Sequence, residues 1–309
     1  YKGVDVYRST GYYQNFSDAH NLMSYRHTRA HNSLLVNGIG QPYSTEGYGS
    51  VMRAMGGQHI SYCLGDASHA YRSISNDPMW VGYFKQAGIE QTPENGFGAT
   101  PLTKYRRHVL MLHPHTVIVY DELEASEAVR WEWLLHSPTE FKIDAVKKTL
   151  STDNKTKGWV AVTQLFGGHV FTLSQTDRFV VPPAITGAEY PNQWHLTARV
   201  DGCSATRFLA IIQVGDEAVS IINRDGDTFN VGDWTIKAVL DASKAPELTV
   251  SHRTEQAVFS YGTDNPALNG NFYSRQYTGS SLLYDEIDGA YQVVEMTDRS
   301  PISTRVVNQ

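Results

Sequence analysis

The chain has 309 residues, 41% hydrophobic and 19% charged, which is enough apolar material for one large domain or two moderate ones. Its 26 Lys and Arg against 32 Asp and Glu give a formal net charge of −6. That balance argues against a general nucleic-acid binder, which needs a basic excess to neutralise phosphates. No apolar run approaches the ~18 residues of a membrane span, and two cysteines, Cys63 and Cys203, do not make a disulfide framework.

The chain opens at Tyr1-Lys2-Gly3, with no initiator Met and no signal peptide, as expected of a piece cut from a longer protein. Its first 31 residues collect His20, His27 and His31, with Tyr7, Tyr12, Tyr13 and Tyr25 and with Arg8, Arg26 and Arg29. Together these suit an anionic sugar. Arginine meets a carboxylate with a planar fork, tyrosine and histidine exchange protons, and aromatic faces stack on sugar rings. The competing reading is a polar strand-and-loop surface. Residues 105–112 and 116–121 read as a β-hairpin around the turn His113-Pro114-His115. The His-x-His spacing there suits a metal, but a solvated turn is favoured. Asp121 and Glu122 are adjacent, so on a strand they point to opposite faces and make no glycosidase-type acid pair. Helical signals are few, at 121–128 and 144–150. Residues 129–135 alternate with period two, which puts Val129, Trp131 and Trp133 on one face.

Further strands are expected at 159–164, 169–173, 178–181, 194–200, 207–214, 218–223, 234–240, 247–252, 257–261, 281–284 and 291–297. His195, beside Trp194, is expected to serve core packing. Strands at roughly 8–12-residue spacing indicate an all-β fold of antiparallel sandwich type. Turn residues after Val214 suggest a large antiparallel β-sandwich over 1–213 followed by a smaller C-terminal β domain over 214–309. One continuous sandwich is the runner-up. Residues 262–280 read as a long loop.

Several segments resemble, in order, those of the heparinase II/III-like polysaccharide lyases. They are Gly11-Tyr12-Tyr13, the run Thr28-Arg29-Ala30-His31-Asn32-Ser33-Leu34-Leu35-Val36 with Gly38-Ile39-Gly40-Gln41 behind it, Gly65-Asp66-Ala67, residues 108–125, Trp133-Leu134-Leu135-His136-Ser137 and Asn192-Gln193-Trp194-His195-Leu196. The resemblance covers about residues 1–213 and is closest to the alginate-lyase-like branch. It implies a two-part enzyme, an N-terminal α/α toroid and a C-terminal β-sandwich with the substrate cleft between them. This chain would be the sandwich. The toroid, and a His-rich strand upstream of Tyr1, would carry the main catalytic groups. The implied reaction is β-elimination on a uronic-acid polymer, alginate first and a glycosaminoglycan second.

On the same resemblance, His31 matches a zinc-ligating histidine, and the aspartate that completes such a site falls at Ser9, a poor zinc ligand. Tyr13 matches a tyrosine that faces the cleft. Arg8, Tyr12, Tyr13 and Arg26 are the expected substrate-binding residues and His20 the candidate catalytic one. His31 is the expected ligand of one zinc ion shared with upstream residues. The expected partners are an anionic polysaccharide and the toroid, with neither nucleic acid nor membrane, and the expected location is secreted or periplasmic. The alternative is a non-catalytic carbohydrate-binding or scaffolding sandwich.

Overall fold

Period-two stretches of β-branched and aromatic residues form strands because alternate side chains leave a strand on opposite faces. The computed structural model describes residues 1–309 except 186, 188, 217–221, 269–270, 299–300 and 307–309. One antiparallel sheet contains β1 (Leu34–Val36), β2 (Ser50–Gly56), β3 (Ile60–Asp66), β4 (Leu102–Leu112), β5 (Thr116–Ser137), β6 (Lys142–Asp144), β7 (Thr149–Asn154), β8 (Trp159–Gly167), β9 (Thr172–Thr176) and β10 (Trp194–Gly215). Its order is β2-β3-β4-β5-β10-β8-β7-β6, with β1 also on β5 and β9 also on β10. A second sheet follows in the chain: β11 (Ile222–Asp225), β12 (Thr228–Val231), β13 (Trp234–Ala238), β14 (Leu248–His252) and β15 (Val258–Tyr261). After the small hairpin β16 (Ala267–Leu268) and β17 (Asn271–Phe272), it is completed by β18 (Ser281–Ile287), β19 (Ala290–Met296) and β20 (Pro301–Val306). The all-β expectation holds.

Strands β5 and β10 each run 22 residues and pair with each other on both sides of a bulge between Val200 and Ala205. From the Val200–Trp131 pair to the Ala205–Glu124 pair the ladder advances five residues on β10 and seven on β5; such unmatched residues bend the ladder, and here they separate two layers. Residues 116–124 and 205–213 carry β4 and β8 as neighbours, whereas 131–137 and 194–200 carry β1 and β9. One apolar core holds Trp131, Trp133, Leu196 and Ala198 together with Leu123 and Phe208. The other holds Ile118, Tyr120, Leu209 and Ile211 together with Ile236, Val250 and Phe259 of the second sheet. The result is three β layers: an outer one around 131–137 and 194–200, a middle one, and the second sheet. Alternation along β5 supplies both cores, so a one-residue slip would exchange them.

The hairpin at His113-Pro114-His115 is present, and Val129, Trp131 and Trp133 share one core. Residues 121–128, expected to be helical, lie inside β5, because long-range pairing to β4 and β10 outweighs their Glu and Ala content. Of residues 144–150, also expected to be helical, 145–148 form the turn between β6 and β7 and the rest belong to those strands, and 178–181 is loop. The strand expected at 218–223 is described only from Ile222; residues 217–221 lie outside the described residues. Helix α1 (Pro78–Ala87) was not expected. Asp77 caps it by accepting from the Met79 N–H, Pro78 opens it, and Gly88 closes it at φ +67°. The passage from β10 to the second sheet falls between Gly215 and Ile222, and an apolar core spans that passage.

Candidate functional site

The first 31 residues lie against the outer layer rather than joining it as a strand. Two backbone N–H groups tie them down, Arg8 N–H to the His136 carbonyl (3.3 Å) and Gly11 N–H to Gln193 Oε1 (2.7 Å), and Thr10 N–H to the Ala30 carbonyl (2.9 Å) folds the segment on itself. Gly11 has φ +84°, and a Cβ there would collide with the Ser24 carbonyl. Only glycine lets the two backbone stretches meet so closely. A π-helical turn, Asn21–Tyr25, and a 3-10 turn, Thr28–Ala30, then place Arg26 and His31.

An aromatic shelf borders these residues. Tyr13, half-exposed, has its ring 5.6 Å from Phe16 and 6.2 Å from Tyr25. Phe16 stacks on Tyr83 of α1 at 5.6 Å. The Arg26 guanidinium lies 4.8 Å from the Trp80 ring and 5.8 Å from Phe16, and its buried Nε has no hydrogen-bond partner. Held by ring faces, this cation is oriented without being neutralised. Beside it, a hollow of about 220 Å³ is lined by Arg26, Thr28, His31, Ser33, Gln41 and Tyr43. His31 Nδ1 is 2.8 Å from Ser9 Oγ and Nε2 is 3.3 Å from the Arg26 carbonyl. Burial lowers its pKa from the ordinary histidine value, so the ring is neutral at pH 7. A shallower hollow of about 320 Å³ shares Ser33 and Gln41 and continues to Asp66 and Arg107. Arg107 grips Asp121 with two bonds of 2.7 and 2.8 Å, so its charge is already met.

The other expected residues are placed differently. His20 is fully buried: Nε2 accepts from the Tyr12 N–H at 3.0 Å, and Nδ1 is 2.6 Å from the Val181 carbonyl, to which it donates. Burial also lowers its pKa. Both nitrogens are committed, which makes His20 a strut for the Tyr12 backbone rather than a proton-transfer group. The Tyr12 hydroxyl donates to the Pro191 carbonyl at 2.6 Å, and the ring packs on Tyr190 at 5.0 Å. Arg8 is half-exposed, 3.6 Å from Asp5. Tyr13 and Arg26 both meet Phe16, and Arg26 and His31 line one hollow, while His20 holds the Tyr12 backbone next to Tyr13.

A family model described as heparinase II/III-like, C-terminal, matches residues 1–180. The chain belongs to this family. Solved structures similar to this heparinase II/III-like chain include the heparan sulfate lyase HepC from Pedobacter heparinus, 11% identical over 80% of this chain and 33% of that one, TM-score 0.50. A heparinase III shows 15% identity over 87% of this chain and 32% of that one, TM-score 0.49. At 11% identity the likeness to HepC is one of fold. The chain spans about a third of the length of these structures. No curated protein matches it in sequence.

The zinc expected at His31 was to share ligands from upstream of Tyr1; the described residues of this heparinase II/III-like domain do not hold it by themselves. Ser9 occupies Nδ1, the Arg26 carbonyl lies against Nε2, and among the described residues no group of three His, Cys, Asp or Glu side chains converges to hold a metal. Sequence reasoning missed the shelf formed by Phe16, Trp80 and Tyr83. Asp77-Pro78 and Gly88 are helix start and stop signals, and between them Trp80, Tyr83 and Phe84 sit at i, i+3 and i+4, one helical face.

Proposed function

We propose that this chain is the β-sandwich wall of a polysaccharide lyase that cleaves a uronic-acid polymer by β-elimination. Alginate is the first choice of polymer, by the branch resemblance of the sequence; a glycosaminoglycan is second. The observation that carries the reading is the family match over residues 1–180. The face bearing Tyr13, Arg26 and His31 supports it. In this reaction a base takes the C5 proton and the electron pair forms the C4–C5 double bond. The C4–O4 bond then breaks, and the leaving oxygen takes up a proton. Negative charge builds on the C6 carboxylate during proton removal, so a fixed cation lowers the barrier. Arg26 is that cation, with Arg8 nearby along the segment. Tyr13 presents a ring face and a hydroxyl to the sugar. His31, neutral, is a hydrogen-bond partner for a sugar hydroxyl once its long contact to the Arg26 carbonyl gives way. The acid and base come from an α/α toroid preceding this chain. Zinc at His31 would need ligands from outside the described residues, and no step is routed through it.

No helix among the described residues is long and apolar enough to cross a membrane. A polymer too large to enter a cell places the enzyme outside the cytoplasm, secreted or periplasmic. The test is digestion of alginate, and separately of heparan sulfate, by the full-length protein carrying this chain, followed by ultraviolet absorbance of the unsaturated product. Product from alginate is expected. Product from heparan sulfate alone would overturn the choice of polymer. Glycan binding with no product from any uronic-acid polymer would overturn the lyase reading in favour of a binding module.

A further inference from the structure

A second pocket, of about 410 Å³, opens beside the Thr28–Ala30 turn. Its floor is the outer face of the outer layer, where Arg130 and Leu134 of β5 meet His195 and Thr197 of β10; Arg29, Glu94 and Arg178 also line it. Three guanidiniums therefore meet here. Arg29 donates Nη2–H to the Asn95 carbonyl and Nε–H to His27 Nδ1, and has no carboxylate partner among the described residues. Burial lowers its pKa from the ordinary arginine value, and the charge of Glu132 offsets that only in part. Arg178 is exposed and makes no ion pair among the described residues. Arg130 Nε lies 3.2 Å from Glu132 Oε2, yet neither atom completes a hydrogen bond. Against these stand Glu94, exposed on the lining, Glu132 beside Arg130, and Asp177, whose charge reaches His195, so Arg29 and Arg178 are the lining cations without an ion pair among the described residues.

His195 supplies a different function. Its Nδ1 is 3.3 Å from Thr10 Oγ1, and that hydroxyl faces the Ala30 carbonyl at 3.5 Å. With Thr10 donating to Ala30, Nδ1–H donates to Thr10 and Nε2 is left with a lone pair. Nε2 is buried and has no partner among the described residues. Burial holds the pKa of His195 down at about 4, so the lone pair is free at neutral pH. A pocket with two guanidiniums outside any ion pair among the described residues, Arg29 and Arg178, and one buried acceptor matches a molecule carrying both an acid and a hydroxyl.

We propose that this pocket is an anion subsite for a carboxylate-bearing sugar unit, the acid on Arg29 and Arg178 and a ring hydroxyl donating to His195 Nε2. The sugar as ligand class rests on the lyase reading; the demand for an anion does not. Arg26 and Arg29 are three residues apart, at most about 11 Å between Cα atoms, so one polymer can meet both this pocket and the shelf.

The experiment is calorimetric titration of the full chain with a mannuronate tetrasaccharide, its carboxyl-reduced form and a sulfated neutral oligosaccharide. Two exposed positions provide the variants, Arg178→Glu and, to fill the pocket, Thr176→Trp. Affinity for the mannuronate is expected to fall roughly tenfold or more in each variant and on carboxyl reduction. Unchanged affinity in both variants, or no binding by the parent chain, overturns the subsite. Tighter binding of the sulfated sugar overturns the carboxylate assignment. If the full-length protein yields unsaturated product while both variants bind and turn over normally, the subsite fails and the lyase reading stands. If no product forms but both variants lose the tetrasaccharide, the lyase reading fails and the subsite stands.

Discussion

His20 and His31 lie on one short segment and serve it differently. His20 spends both nitrogens on backbone groups in the interior, whereas His31 keeps one edge on a hollow. Replacing His20 with Ala leaves the Tyr12 N–H and the Val181 carbonyl unpaired. The expected loss is about 2–3 kcal/mol of unfolding free energy in urea, whereas a proton-transfer role would instead lower kcat at unchanged stability. Which histidines would be buried was not legible from the sequence, because the partner carbonyl of His20 sits 161 residues away. The opposed directions of Asp121 and Glu122 were legible, since they follow from strand geometry alone. Asp121 pairs with Arg107, and Glu122 meets His108 at 2.9 Å and Lys104 at 2.7 Å. Burial by itself would raise the Glu122 carboxyl, but the bonds from His108 and Lys104 outweigh it and hold the pKa at about 2. A carboxyl depressed on folding contributes stability above its unfolded pKa and loses it as pH falls through the folded value. The protein is therefore expected to lose about 2–3 kcal/mol between roughly pH 4.5 and 2 through this group. Urea melts across that range check it: Glu122→Gln flattens the acid limb, and an unchanged limb would contradict the assignment.

At the scale of elements, the long β5–β10 pair bears the site. Its outer half gives Trp131 and Trp133 to one core and shows Arg130, His136 and His195 on the opposite side, where the N-terminal segment and the second pocket lie. Trp131 is fully buried and donates to the Cys203 carbonyl at the bulge. Trp131→Ala is expected to cost about 3–5 kcal/mol, read as a lower denaturation midpoint, and to weaken the site by loosening its floor. The period-two pattern at 129–135 made this strand legible. It could not show that 194–200 and 207–214 are one strand, because the bulge between them interrupts the alternation. His195 was read as a core residue for the same reason: the sequence pairs it with Trp194 but does not show which side of the bent strand stays open. For α1, Asp77→Ala is expected to cost about 1 kcal/mol, visible as a small fall in melting temperature.

Across the whole molecule, the middle layer is covered on both faces. Turn residues after Val214 suggested where one sheet gives way to the next, but the apolar core between the middle layer and the second sheet was not legible, because it joins residues such as Ile118 and Phe259 from distant parts of the chain. Cutting after Gly215 would bare Ile118, Tyr120, Leu209 and Ile211; the piece is expected to bind a hydrophobic dye and to aggregate, unlike the complete chain. The family motifs made residues 1–41 the most informative stretch, since a close backbone approach fixes Gly11 and a short turn fixes the spacing of Arg26 and His31. The aromatic shelf escaped notice because half of it comes from α1. Function in the whole molecule turns on whether the residues Tyr13, Arg26 and His31 meet a uronate. The most direct measurement is the kcat/KM of the full-length protein on alginate with Arg26→Ala beside the parent, with melting temperatures compared. A fall of about a hundredfold at similar stability is predicted, on the order of 3 kcal/mol of transition-state stabilisation, and kinetics equal to the parent's would contradict it.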